Sequence, residues 1–135
     1  MIKDIWLNLP AKDLLKTQDF FEKIGFRLNE EQTNDSMVCF QAGEKNTTIL
    51  FFDEEVFTNF TQEDVNNAGC EVLISFDAAS REEIDEMARK VFEAGGTIFS
   101  PPGEIEGWMY GFGFIDPNGH RWNQLFMDFA KLKSN

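Results

Sequence analysis

GWMYGFGFIDPNGHRWNQLFM, from Gly107 to Met127, is two apolar runs set around Asp116-Pro117-Asn118-Gly119. Asn-Gly between apolar runs is the strongest short-range hairpin signal, because a type I′ turn needs positive φ at both central residues. The stretch therefore predicts a β-hairpin turning at Asn118-Gly119. Tyr110, Phe112 and Phe114 alternate with Gly111 and Gly113, which puts large rings on one face of the strand and bare backbone on the other. Glycine inside a strand marks a place where a ligand or another chain comes close. The hairpin is expected to form one wall of a cavity.

Upstream, the same kind of pattern is found twice. Ile5, Leu7 and Leu9 alternate with Trp6 and Asn8, a strand that Pro10 is expected to end. Asp13 offers an N-cap, and Leu14, Leu15, Phe20, Phe21 and Ile24 make a helical apolar stripe stopped by Gly25. Strands are predicted over Phe26–Leu28, Met37–Gln41 and Thr47–Phe52. Val72, Ile74 and Phe76 then alternate with Glu71, Leu73 and Ser75. Ser80 and Glu83 form a capping box ahead of Ile84, Met87, Ala88 and Val91, and Ala94-Gly95-Gly96 closes that helix. Thr97–Ser100 is a strand that Pro101-Pro102-Gly103 should break, and the hairpin supplies the last two strands. Each half reads strand, helix, three strands, so the chain is an internal duplication. The acidic stretch from Asp53 to Asn67 connects the halves, with a helical turn around Glu54 to Phe57.

The fold class that follows is α+β: two tandem βαβββ modules in a cupped mixed β-sheet, with a helix packed outside each module. The 135 residues make one domain, with module one over about 1–53, a connector over about 54–68 and module two over about 69–130. The helices need the Ile5/Leu7/Leu9 and Val72/Ile74/Phe76 faces. The opposite faces, Trp6/Asn8 and Glu71/Leu73/Ser75, then point away from the helices and suit a partly wet pocket. Apolar content of 42%, with 15 Phe, is enough for a core at this length. The net charge of −12 argues against nucleic acid and anionic membranes as partners and permits a cationic ligand. Cys39 and Cys70 make no disulfide framework. No signal peptide pattern or bilayer-length apolar run is present, which sets the cytoplasm as the expected compartment.

Leu7-Asn8-Leu9-Pro10-Ala11-Lys12-Asp13-Leu14, Phe20-Phe21, Gly25-Phe26, Glu93-Ala94-Gly95-Gly96 and Gly113-Phe114-Ile115-Asp116-Pro117-Asn118-Gly119-His120 occur in that order and spacing. In these motifs, over nearly its whole length, the chain resembles the vicinal oxygen chelate superfamily, which groups glyoxalase I, extradiol dioxygenases and fosfomycin- and bleomycin-resistance proteins. The resemblance implies two βαβββ modules, a small-molecule ligand and, as the usual assembly, a homodimer. It also implies four metal-binding positions, mostly His and Glu in the family. Here they fall at Trp6, Leu50, Glu71 and Asn123. Trp6 and Leu50 offer no donor, so neither a metal nor another cofactor is expected.

The candidate ligand-binding residues are Trp6, Asn8, Glu71, Ser75, Trp108, Tyr110, Arg121 and Asn123. Trp6 and Trp108 would stack on a flat or cationic ligand. Tyr110 would offer a hydroxyl, and Asn123 an amide where the family has a carboxylate. Glu71 is either a pocket carboxylate or a strand-end charge reaching solvent or Arg121, and it is the one candidate general base. Trp122 has the opposite strand parity to Asn123 and is expected under the second helix. His120, the only histidine, follows the turn and reads as a turn residue. Cys39 and Cys70 have no activating neighbour. The preferred expectation is a glyoxalase/bleomycin-resistance-like protein that binds a small organic ligand without the family's metal. The alternatives are a superfamily enzyme with a rearranged metal site or with Glu71 as base, and an oligomerisation module without ligand.

Overall fold

The computed structural model describes residues 3–62 and 72–134. It has two compact units, Met1–Gly69 and Cys70–Asn135, and each is built on a βαβββ frame. The first carries β1 (Leu7–Ala11), α1 (Leu14–Lys23), β2 (Arg27–Leu28), β3 (Met37–Ala42), β4 (Thr47–Asp53) and then α2 (Glu54–Thr61). The second carries β5 (Leu73–Asp77), α3 (Arg81–Glu93), β6 (Thr97–Ile105), β7 (Met109–Ile115), β8 (Arg121–Met127) and then α4 (Phe129–Ser134). The strands lie in two four-stranded sheets of the same permutation, β1-β4-β3-β2 and β5-β8-β7-β6. In each, the first strand lies parallel to the last, and the other pairs are antiparallel.

The sequence sets the helix ends by the same chemistry in both modules. Asp13 Oδ1 accepts the Lys16 N–H at 3.1 Å, and Ser80 Oγ accepts the Glu83 N–H at 3.2 Å. Each cap satisfies a donor that the first helical turn leaves without an intrahelical partner. Glu83 reaches back to the N–H of Ala79 at 2.8 Å, one residue earlier than a reciprocal capping box would. At the C-termini, Phe26 N–H donates to Phe21 O and Gly96 N–H to Val91 O, both at 2.9 Å. These bonds close around Gly25 (φ 107°) and Gly95 (φ 93°), where an L side chain would be strained.

Each helix then covers one face of its own sheet. Phe20 and Phe21 of α1 and its C-cap Ile24 are buried with Val38, Phe40, Ile49 and Phe51. The Phe21 ring lies 5.0 Å from Phe51, 5.1 Å from Phe26 and 5.6 Å from Phe40. Ile84, Ala88 and Val91 of α3 are buried, as are Phe112, Phe114 and Trp122 of the sheet it packs on. The cross-strand neighbours Phe114 and Trp122 stack at 6.1 Å with planes 6° apart. Trp122 is thus under the second helix, as its parity requires. Burying side chains of this size contributes about 1.5–3 kcal/mol each, which is why the helix-facing positions fix the register.

Several local expectations are corrected. The type I′ turn is at Glu106-Gly107, where φ is 52° and 79° and the Trp108 N–H bonds to Ile105 O. At the Asp116 loop the Gly119 N–H bonds to Asp116 O, and of the central residues neither Pro117 nor Asn118 has positive φ. That is a type I turn, with Pro at its favoured second position and Gly119 (φ 93°) following it. Pro10 does not end β1, which pairs on through Pro10↔Phe52 and Ala11↔Asp53. Nor do Pro101 and Pro102 break β6, which continues to Ile105 through two register shifts. Both strands are sheet edges, where a missing N–H removes no ladder bond. Ile5 and Trp6 precede β1 and are exposed. The connector holds more helix than a turn, because the Asp53 carboxylate caps α2 through the Glu55 N–H. Cys70 and Glu71 lie outside the described residues.

Candidate functional site

Register decides which side chains share the sheet face turned away from α3. Phe112, Phe114, Trp122 and Gln124 face the helix. Period-two alternation then puts Arg121, Asn123 and Leu125 on the other face, beside Leu73, Ser75 and Asp77 of β5 and Ile115, Gly113 and Gly111 of β7. On this face Ser75 and Asn123 are direct cross-strand partners, and Ser75 Oγ donates to Asn123 Oδ1 at 2.5 Å. With its carbonyl oxygen engaged, Asn123 keeps its NH₂ as a donor.

One register step away, the Arg121 guanidinium carbon lies 4.6 Å from the centroid of the Phe99 ring. Phe99 sits in a register shift of β6 and is 42% exposed. Its ring lies on Gly113, where an added Cβ would come within 2.5 Å of a ring atom. The glycine face of β7 is therefore not bare, as the alternation alone suggested. Phe99 fills it at Gly113. At Gly111 an added Cβ would meet the Gln124 carbonyl at 2.5 Å and Leu125 Cδ2 at 2.7 Å. These glycines admit the protein's own groups: one ring and one neighbouring backbone.

Ser75, Arg121 and Asn123 are thus brought onto one face. Tyr110 is not with them. It lies on the helix side, where its O–H donates to Asp85 Oδ1 of α3 at 2.7 Å and Arg81 stands 5.7 Å from its ring centroid. The bond to Asp85, with a smaller desolvation effect, holds the phenol above its ordinary pKa. Trp108 sits at the Glu106-Gly107 turn with its ring 5.8 Å from Phe129 of α4. Arg81 is held by Glu104 at 2.9 Å and Asp128 at 3.5 Å, a network that ties α3 to β6 and to the end of β8.

In the first unit, Asn8, Leu50 and Cys39 form a row of register partners on the face turned from α1. Asn8 and Trp6 are exposed and Leu50 is half-buried. Cys39 is fully buried, with its thiol 3.7 Å from Gln32 Oε1 in the short 3-10 turn Glu30–Gln32. Burial pushes the thiol pKa up, which disfavours the nucleophilic thiolate.

The side chains at the family's four metal positions are an indole, an alkyl chain, a carboxylate and an amide at Trp6, Leu50, Glu71 and Asn123, of which Glu71 lies outside the described residues. Divalent metals take three or more N, O or S ligands at one point; an indole N–H and a leucine supply none, which leaves Glu71 and Asn123 as two donors at most. The residues present do not fit the metal. Among the described residues no three His, Cys, Asp or Glu side chains are grouped to hold one.

Two residues escaped the sequence reading. In the sequence Phe99 is only part of a strand, although a glycine across from an aromatic is a signal for a ring lying on backbone. Asp116 has the sequence context of a turn residue, yet its carboxylate is buried. It accepts the N–H groups of Asn118 (2.8 Å) and His120 (3.0 Å) and the Trp122 indole N–H (3.0 Å). Burial raises its pKa, against the opposing pull of His120 and of these bonds. Asp116 pins the hairpin to the core and does not reach the Ser75–Asn123 face.

Residues 5–123 match the family described as Glyoxalase/Bleomycin resistance protein/Dioxygenase superfamily. Among solved structures, a hypothetical protein from S. aureus is 36% identical, with 93% of this chain and 94% of that chain covered and a TM-score of 0.84. A glyoxalase/bleomycin resistance protein/dioxygenase family enzyme from Burkholderia phytofirmans PsJN shares the fold at 19% identity (93% and 99% covered, TM-score 0.82). So does a lactoylglutathione lyase from Agrobacterium tumefaciens at 19% identity (95% and 96% covered, TM-score 0.68). No curated protein matches the chain. No described helix is long and apolar enough to cross a membrane.

Proposed function

This chain belongs to the glyoxalase/bleomycin resistance protein/dioxygenase superfamily, and from that premise we propose that it binds a small organic ligand without the family's metal. The observation that carries the reading is the donor set: Trp6 and Leu50 stand where ligands are required, and Asn123 where a carboxylate would be. The ligand site includes Ser75, Arg121 and Asn123, with Phe99 as its aromatic surface. Trp6, Asn8 and Glu71 are further candidates for the same role. Trp108 and Tyr110 are engaged with Phe129 and Asp85 and leave the set. No catalytic residue is assigned. The protein acts as a cytoplasmic homodimer, with neither nucleic acid nor membrane as partner, in keeping with a net charge of −12.

Elemental analysis of protein purified without chelator tests the reading. The expected result is no stoichiometric Zn, Ni, Mn or Fe, and one bound ion per chain overturns it. Light scattering coupled to size exclusion tests the dimer.

A further inference from the structure

We propose that the β5–β8 face selects a planar ligand bearing a carboxylate or a similar anionic oxygen group. The proposal rests on the binding reading above and names its ligand class. The Ser75 hydroxyl donates to Asn123 Oδ1, which orients the Asn123 amide and leaves its NH₂ donors for a ligand. Arg121 supplies only donors and a full positive charge. The two side chains project from the same face two residues apart on β8, a spacing of roughly 7 Å that lets one small anion engage both. The guanidinium carbon lies over the Phe99 ring. The guanidinium and the half-exposed Phe99 ring together offer a surface on which a flat ligand can stack. Arg121 is the one cationic side chain that β5, β7 and β8 place on this face, and the one carboxylate there, Asp77, lies beyond Ser75 on the side away from Arg121, in a chain whose net charge is −12. The local cation is what admits an anion that the rest of the surface repels. A cationic ligand, which the overall charge permits, would meet Arg121 and the Asn123 amide as repulsive neighbours.

The test is NMR titration of ¹⁵N-labelled protein with benzoate, benzamide and benzamidine, three flat probes that differ in charge. Benzoate should perturb the Asn123 side-chain NH₂, the Gly113 amide and the Arg121 Nε–H, and added salt should weaken it. Arg121→Gln should weaken benzoate about tenfold or more with the spectrum otherwise retained, since a charge-assisted hydrogen bond is lost. Arg121→Lys, which keeps the charge and loses the planar fork, should fall between. If benzamide or benzamidine perturbs these groups as strongly as benzoate, or if Arg121→Gln leaves benzoate unchanged, the anionic class is overturned while binding at this face stands. If none of the three perturbs the face, this inference is overturned. The metal-free reading then stands or falls separately on the elemental analysis.

Discussion

The two modules share strand order, helix caps and helix-ending glycines, yet their helix-averted faces are filled in different ways. In module one the edge strand β2 is two residues long, and the turn that follows it brings Gln32 to the Cys39 thiol. That face carries Asn8, Leu50 and Cys39, with no charged side chain in the row. In module two the corresponding edge strand β6 is nine residues long and shifts register twice. Its irregularity lays Phe99 on Gly113 and under Arg121. The helix-facing sides are constrained by packing that both modules need, so they stay alike. The averted sides carry no such demand, and there the modules differ: a neutral row in one, and in the other a polar face where Ser75, Asn123 and Arg121 neighbour one another and Asp77 lies beyond Ser75.

If the helix-facing sides are equivalent, truncating a buried ring should cost a similar amount in either. Phe21→Ala in module one and Phe114→Ala in module two are each expected to destabilise by about 3–5 kcal/mol in urea denaturation. Both rings are fully buried among other rings. A cost under about 1 kcal/mol in one module alone would break the equivalence, since that is the level of an ordinary surface change.

The glycine pair of β7 belongs to module two only and sharpens the contrast. Gly111→Ala drives its Cβ toward the backbone carbonyl of Gln124. Strands β7 and β8 would have to separate, at about 1–3 kcal/mol for overpacking. Gly113→Ala meets only the far end of the half-exposed Phe99 ring, which can swing outward. Its stability cost should be below about 1 kcal/mol, while Phe99 leaves its place under Arg121. Equal costs for the two substitutions would mean that Phe99 is locked where it lies.

The loops that join the last two strands of each module differ electrostatically. In module one, Arg27 from outside the loop bonds Gly43 O and Asn46 Oδ1. In module two the loop turns around the buried Asp116 carboxylate. Because burial raises the folded pKa of Asp116, the native state keeps a proton that the unfolded chain has already released. Stability therefore falls as pH rises from the ordinary carboxylate range through the raised value, and levels off above it. Urea midpoints taken from about pH 4 to about pH 7 should show this fall in the natural sequence and a shallower one in Asp116→Asn. That variant should also lose about 1–3 kcal/mol near neutral pH, because an amide NH₂ faces the Trp122 indole N–H. An unchanged pH slope would assign the acid response to other carboxylates.

Much of this was legible in the sequence because its causes are local. Asp13, Ser80, Gly25 and Gly95 act within one helical turn, and the parity of Trp122 against Asn123 follows from the pleat. What escaped depends on neighbours in space. Pro10 and Pro101 are compatible with strands only because β1 and β6 are edges, which no window of sequence states. Asn118-Gly119 has the composition of a type I′ turn, but the Asp116 side chain binds two backbone N–H groups and holds a type I turn instead. Alternation alone puts Tyr110 on one face with Phe112 and Phe114, as the strand has it. That this face is the one beneath α3, and not a cavity wall, is decided by its pairing with β8 and by Asp85.

The smallest effect separates the averted faces most directly. Ser75 and Asn8 are both exposed polar residues on the first strand of a module. Ser75 holds a cross-strand bond to Asn123, whereas Asn8 sits opposite Leu50, which offers nothing to bond. Ser75→Ala should cost about 0.5–1 kcal/mol, the net value of one solvent-accessible hydrogen bond, and Asn8→Ala should fall within about 0.5 kcal/mol of zero. Their readouts differ in kind as well. Without the hydroxyl, the Asn123 amide is free to turn, so Ser75→Ala should broaden or shift the Asn123 side-chain NH₂ resonances and weaken benzoate binding. Asn8→Ala should leave those resonances unmoved in the free protein. Equal stability losses with no change at Asn123 would mean that the bond does not orient the amide, and the donor character assigned to the β5–β8 face would then rest on Arg121 alone.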